Sequence, residues 1–163
     1  MIFVTVGTHE QQFDRLVRAV DELVADGTVT ESVFIQTGYC DYTPKYAEWS
    51  KFISASEMRR RMKDADVVIT HGGPSSFVEA MIVGKVPVVV PRRSKFGEHV
   101  NDHQKDFVQK VVKYKGGIIP VYNISDLASA IKNVRHLSSA SEIRFVSHNK
   151  EFCESLEHLI EEL

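Results

Sequence analysis

His71-Gly72-Gly73-Pro74-Ser75-Ser76 stands between an apolar run, Asp66-Val67-Val68-Ile69-Thr70, and an amphipathic one in which Phe77, Ala80, Met81 and Val83 recur at helical spacing. Glycines at a strand-to-helix junction let the backbone come close to a ligand, because no Cβ intervenes. The helix behind them aims unpaired N–H groups and a partial positive charge at the same place. An anion, most often a phosphate, suits that position. The chemistry predicted is binding of a nucleotide or nucleotide-sugar. Glu79, about one turn into the helix, suits the two hydroxyls of a ribose whose diphosphate rests on the helix end. Ser76-x-x-Glu79 also has capping-box spacing, which would account for Glu79 by helix stability alone. Together with the loop glycines and the segment downstream, the ribose reading is favoured.

That segment is Pro91-Arg92-Arg93-Ser94-Lys95-Phe96-Gly97-Glu98-His99-Val100-Asn101-Asp102-His103-Gln104. It packs donors and acceptors densely after a strand end, as recognition of a polyhydroxylated sugar requires. His99 and His103 have the i,i+4 spacing of zinc ligands, but no third ligand follows at a suitable distance. Sugar contact or simple surface exposure is the better account, and no metal is expected. Asp64-Ala65-Asp66 has the form of a metal-holding D-x-D. It precedes its strand, however, and so belongs to the edge opposite the phosphate loop. The usual dinucleotide and P-loop fingerprints are missing: Val6-Gly7-Thr8-His9-Glu10 stands where a G-x-G-x-x-G would, and there is no G-x-x-x-x-G-K-[ST].

These residues need a scaffold, and the rhythm of the chain supplies one. Ile2 to Val6 reads as a strand, followed by a helix with Phe13, Leu16, Val17, Val20, Leu23 and Val24 on one face and Gly27 at its end. Val33 to Thr37 is the second strand, closed by Gly38. A polar and aromatic loop follows from Tyr39 to Trp49, then a short strand around Lys51-Phe52-Ile53. Ser54 with Glu57 predicts a capped helix through Met58 and Met62. Gly84 stops the helix after the Gly-Gly loop, and Val86 to Pro91 is the next strand. Phe107, Val108, Val111 and Val112 mark another helix, Ile118 to Val121 a last strand, and Leu127, Ala130, Ile131 and Val134 a further helix capped by Ser125 or Asp126. A final helix at about 141–163 carries Phe152, Leu156, Leu159, Ile160 and Leu163. Alternation of this kind predicts a Rossmann-like α/β domain, a parallel sheet with helices on both faces. Ligands bind such sheets beyond the carboxyl ends of the strands, where Gly7-Thr8, Gly38, His71-Gly72-Gly73 and the loop after Pro91 all fall.

The 163 residues fit one domain, residues 1–163, and 43% hydrophobic with 26% charged residues is the profile of a soluble globular protein. A net charge of −2 makes no case for nucleic acid. Arg59-Arg60-Arg61 with Lys63 reads as a solvated helix face, whereas Arg92-Arg93 with Lys95 follows a strand and could meet an anionic ligand or lipid. Cys40 and Cys153 form no redox or metal motif, which fits a reducing cytoplasm. The apolar start reads as a strand rather than a signal peptide, and no run reaches the roughly 20 residues of a membrane span.

His71-Gly72-Gly73, Glu79, Gly84-Lys85-Val86-Pro87 and the Glu98-His99-Val100-Asn101-Asp102-His103-Gln104 segment together resemble the donor-binding half of GT-B glycosyltransferases, in particular the family 28 C-terminal domain. The start, Phe3-Val4-Thr5-Val6-Gly7-Thr8-His9-Glu10-Gln11-Gln12-Phe13, is similar to small bacterial capsule and exopolysaccharide β-1,4-glycosyltransferase catalytic subunits. Those in turn resemble the catalytic subunit of the eukaryotic two-subunit dolichol-linked N-acetylglucosaminyltransferase. The resemblance implies that Gly72, Gly73, Ser75 and Ser76 face a diphosphate and Glu79 a ribose, with His71 in the same motif. It implies that Gly7 and Thr8 line the site, that Phe52 and Ile53 flank a uracil, and that Asn101, Asp102 and Gln104 meet the transferred hexose. Core packing accounts equally well for Phe52 and Ile53. Gly97-Glu98-His99 ahead of Asn101 departs from the eukaryotic relatives and points to the polysaccharide branch, with glucose or galactose moved from a UDP-sugar.

The same resemblance implies an inverting β-1,4 transfer to a polyprenyl-diphosphate-linked sugar. One Rossmann-like domain is half of a GT-B enzyme, so a membrane-anchored partner subunit is expected to bind the acceptor and hold the chain at the inner face of the membrane. No cofactor is called for, since helix N–H groups and hydroxyls would stabilise the leaving UDP. The catalytic base stays unassigned; His9 is a candidate by position only, with a helix-cap or solvent-facing histidine the blander account. Two other functions share the fold: a non-catalytic UDP-sugar-binding or regulatory subunit, and a UDP-sugar epimerase.

Overall fold

The computed structural model describes residues 1–139; the helix expected at 141–163 lies outside them. Strands β1 (Ile2–Thr5), β2 (Val33–Gln36), β3 (Glu48–Ser50), β4 (Val67–His71), β5 (Val88–Val90) and β6 (Ile119–Pro120) form one six-stranded sheet in the order β3-β2-β1-β4-β5-β6. Every pairing is parallel. The central strands are buried on both faces, which is why they read as unbroken apolar runs rather than alternating ones.

Helices α1 (Asp14–Ala25), α2 (Ala55–Asp64), α3 (Pro74–Ile82), α4 (His103–Tyr114) and α5 (Leu127–Ser139) cover the sheet. On one face Leu16, Val17 and Val20 of α1 and Leu127, Ile131 and Val134 of α5 pack on Ile2, Val4, Ile35, Ile69 and Val88. On the other, Met62 of α2 and Ala80 of α3 pack on Phe3, Phe34 and Val68, while Phe77 of α3 joins Phe107, Val108 and Val111 of α4 on Val89. This is the Rossmann-like α/β architecture that the alternation predicts.

One strand is displaced from its predicted place. The third strand is Glu48–Ser50, three residues ahead of the run Lys51-Phe52-Ile53. Asp21, on α1, captures the N–H groups of Lys45, Tyr46 and Ala47 and so ends the preceding loop early. Phe52 and Ile53 are thereby released from the sheet to lead into α2, where Ser54 Oγ caps Glu57 N–H at 3.1 Å. The capping box is only half formed there, because the Glu57 carboxylate turns to Arg60 and Arg61.

Candidate functional site

Chain order runs outward from β1 in both directions, to β2 and β3 on one side and to β4, β5 and β6 on the other. The crevice between the ends of β1 and β4 is therefore the topological switch point, the place where open parallel sheets take their ligands. The loop that leaves β1 at Gly7 and the loop that leaves β4 at Gly72 meet there. A Cβ on Gly7, whose φ is +76°, would fall 2.5 Å from Nε2 of His71, and a Cβ on Gly73 would fall 2.2 Å from its Cε1. A Cβ on Gly72 would meet Pro91 Cα at 3.0 Å and Gln104 Cβ at 3.1 Å. Sequence reasoning explains these glycines by the approach of a ligand. The structure gives them a prior duty, which is to let three loops close around the imidazole of His71.

His71 itself is 8% exposed and uses both ring nitrogens internally. Gly73 N–H donates to Nδ1 at 2.9 Å, so the neutral ring carries its proton on Nε2 and donates to Ser76 Oγ, also at 2.9 Å. Its expected place among the direct donor contacts is corrected accordingly: with both nitrogens engaged, it shapes the loop. Burial pushes its pKa down to about 3, with Arg92 acting in the same direction and Gln104 opposing. The unfolded chain thus takes up this proton at higher pH than the folded one. Stability is complete above about 6.5 and declines as pH falls toward the folded value. Nitrogen-detected NMR is expected to find His71 neutral, in the Nε2–H form, at pH 5; a charged ring at that pH would refute the assignment.

Ser76 Oγ, held by His71, is not a cap, and the capping-box account of Glu79 is set aside. The residue at the head of α3 is Gly73, which supplies no side chain, and Pro74 follows with no N–H. With the Gly73 N–H given to His71, Ser75 and Ser76 are left to present backbone donors at that helix end; Ser75 is exposed and Ser76 N–H makes only a 3.3 Å contact with Gly73 O. Glu79 lies further along, half-buried, 3.4 Å from the exposed Arg59 of α2. Phe52 is exposed, with Tyr39 edge-on to its ring at 5.3 Å.

The β5–α4 loop is held by its own side chains. Glu98, a predicted sugar contact, is fully buried: Arg15 donates to both its oxygens at 2.7 and 2.9 Å, and Arg93 N–H adds a third bond. It ties the loop to α1 and is not free to meet a sugar. Asp102 accepts from Ser94 N–H and Oγ, Asn101 Oδ1 pairs with His99 Nδ1 and accepts His103 N–H, and Gln104 Oε1 accepts Arg92 N–H. Asn101 Nδ2 and Gln104 Nε2 are left over by these bonds. Thr8 and His9 are exposed on the facing loop, and the rings of His9 and His99 lie 4.8 Å apart. Partial burial, His99 and Arg92 all lower the His9 pKa, against Glu10. Gln11 N–H occupies its Nδ1 at 3.2 Å, so neutral His9 offers a donor rather than a base lone pair.

Three residues that sequence reasoning missed organise this rim. Arg92, expected from its place after a strand to meet an anionic ligand or lipid, is instead 1% exposed and donates to Val6 O, Gln11 O, Gln12 O and Glu98 O. Arg15 pairs with Glu98, and Gln36 bridges the loops after β1 and β3. No local pattern marks them, since most of their partners are distant in sequence. Asp66 pairs with the Met1 amine at the opposite edge, as the discounting of Asp64-Ala65-Asp66 requires.

The glycosyltransferase family 28 C-terminal domain matches residues 1–160. Among solved structures, the glycotransferase of kitacinnamycin is similar at 17% identity with a TM-score of 0.58, over 86% of this chain and 36% of that one. Glycosyltransferase SnogD from Streptomyces nogalater gives 18% identity and a TM-score of 0.49 over 97% and 43%. A flavodoxin-like domain from Synechococcus gives 10% and 0.48, over 86% of this chain and all of that one. The first likeness is one of fold, and the chain spans 36% of that protein's length. No curated protein matches the chain in sequence.

Proposed function

From a chain that belongs to the glycosyltransferase family 28 C-terminal domain, we propose the donor-binding half of a GT-B enzyme that moves glucose or galactose from a UDP-sugar to a polyprenyl-diphosphate-linked sugar. The observation that carries this reading is the convergence of the β1 loop and the head of α3 at the switch point of the sheet. The diphosphate lies against Ser75 and Ser76, whose N–H groups and hydroxyls take the charge of the leaving UDP. Thr8 faces it from the β1 loop, Glu79 holds the ribose, and Phe52 with Ile53 flanks the base. The hexose meets the loop from His99 to Gln104, through Asn101 Nδ2, Gln104 Nε2 and the carboxylate of Asp102. The transfer inverts, giving a β-1,4 linkage.

The acceptor and the membrane attachment belong to a second, membrane-anchored subunit. Among the described residues no helix is long and apolar enough to cross a membrane. The proposal holds the chain at the cytoplasmic face through that partner.

Calorimetric titration with UDP, UDP-glucose, UDP-galactose and UDP-N-acetylglucosamine tests the donor site, and absence of binding by all of them would refute it. Replacing Glu79 by Ala is expected to erase discrimination between UDP and 2′-deoxy-UDP, worth about tenfold for a charge-assisted hydrogen bond to a hydroxyl. Discrimination that survives Glu79→Ala removes the ribose role. If transfer by the assembled enzyme is unchanged in both Glu79→Ala and Asn101→Ala, the chain is a helper subunit and its partner is the catalyst.

A further inference from the structure

Gln36 closes β2 and is 1% exposed, yet the donor site as proposed makes no use of it. Its Oε1 accepts from Thr5 Oγ1 at 2.7 Å, and its Nε2 donates to Gly7 O at 3.0 Å and to Lys51 O at 2.8 Å. Thr5 Oγ1 in turn accepts the Gly7 N–H at 3.2 Å. The peptide groups on either side of Gly7 are therefore gripped by one hydrogen-bonded ring. Lys51 O also accepts Gly38 N–H at 2.9 Å, and a Cβ on Gly38 would fall 2.7 Å from Gly7 O. A single amide thus fixes the residue that opens the β1 loop relative to the residue that precedes Phe52.

Those two places are the phosphate side and the base side of the crevice. They lie at the ends of β1 and β3, which flank β2, and the Gln36 Nε2 that Gly7 O and Lys51 O share at 3.0 and 2.8 Å sets the span between them. A mononucleotide bridges that span only if its phosphate chain has the right length. We propose that Gln36 determines specificity by setting this span, so that the site selects a nucleoside diphosphate over the mono- and triphosphates of the same base. The inference rests on the donor-site reading above. Gln36 touches no ligand; it acts through Gly7 and Lys51 and is a positioning residue. A purely structural amide would satisfy the same carbonyls, but its loss would weaken every nucleotide alike.

The test is titration of UMP, UDP, UTP and uridine into the folded wild-type chain and into Gln36→Glu, which keeps the shape and removes the donors to Gly7 and Lys51. Gln36→Leu provides a second variant should the carboxylate prevent folding, with circular dichroism confirming the fold of each. Wild type is expected to favour UDP over UMP and UTP by about tenfold, a difference of about 1.4 kcal/mol. In the variants that preference collapses while uridine binding holds. Preference retained in the variants, or one common factor lost for all four ligands, overturns the inference alone. Wild-type chain that binds none of them overturns the donor reading and the inference together.

Discussion

Arg92→Lys is expected to lower the melting temperature by about 10 °C and to abolish measurable UDP binding, although it preserves the charge. The guanidinium of Arg92 reaches Gln11 O at 2.8 Å, Gln12 O at 2.9 Å and Glu98 O at 3.0 Å through Nη1, and Val6 O at 2.8 Å through Nη2. It also lies 4.8 Å from the centre of the Phe13 ring. These carbonyls belong to two loops, and their oxygens turn inward because a planar fork of donors waits for them. A lysine ammonium is a point charge with three donors and cannot span that set. Buried carbonyls would lose their partners at about 1–3 kcal/mol each, offset in part by water entering the gap. A net loss of roughly 3 kcal/mol corresponds to the stated shift for a domain of this size. The same change frees the segment from Gly7 to Gln12, on which the proposed donor site relies. Thermal unfolding by circular dichroism and calorimetry with UDP read the two effects; a shift under about 2 °C with binding intact would refute the role.

What was legible in the sequence was what local pattern determines. The apolar runs at Ile2, Val33 and Val67 announce buried parallel strands, and the spacing of Leu16, Val17 and Val20 announces the helix that covers them. The strand-Gly-Gly-helix junction at His71 stood out for the same reason, and it lies at the switch point. Polar side chains were less legible because their roles depend on partners far along the chain. Glu98 and Arg15 are 83 residues apart, and Arg92 and Val6 are 86 apart. Adjacent Arg92 and Arg93 read alike, yet the first reaches the β1 loop while the second pairs with Asp102 of its own loop. The glycines beside His71 predict a ligand contact there. Those glycines are what allows the ring to be enclosed, and the enclosure takes its nitrogens. The third strand lies three residues ahead of the apolar run that predicts it for a related reason, since its start is set from across the fold by a carboxylate on α1.

That carboxylate yields the other large effect. Asp21→Asn is expected to destabilise the domain by roughly 2–5 kcal/mol at pH 7, measured by urea denaturation. Asp21 is fully buried; its Oδ2 accepts from Tyr42 Oη at 2.7 Å and Lys45 N–H at 2.8 Å, and its Oδ1 from Tyr46 and Ala47 N–H, both at 2.9 Å. Asparagine replaces one oxygen by an amide nitrogen, so two donors then face a third. Burial by itself would push the Asp21 pKa up, but the Lys45 N–H, the Tyr42 hydroxyl and the Tyr46 and Ala47 N–H groups outweigh it and hold the carboxyl below its ordinary range. The unfolded chain therefore protonates first as the solution is acidified. The contribution of Asp21 is complete above about pH 4 and fades as pH falls through the folded value. Wild type and Asp21→Asn should accordingly converge in stability below about pH 4. His71 loses stability in the same direction but does so in both proteins, so the difference between them isolates Asp21. A gap that stays constant down to pH 2 would mean that packing, not the charge, is what the variant lost. The site should feel the loss as well: the segment Asp21 secures runs directly into Glu48–Ser50 and then Phe52, so the variant is expected to bind uridine more weakly while inorganic diphosphate binding is spared.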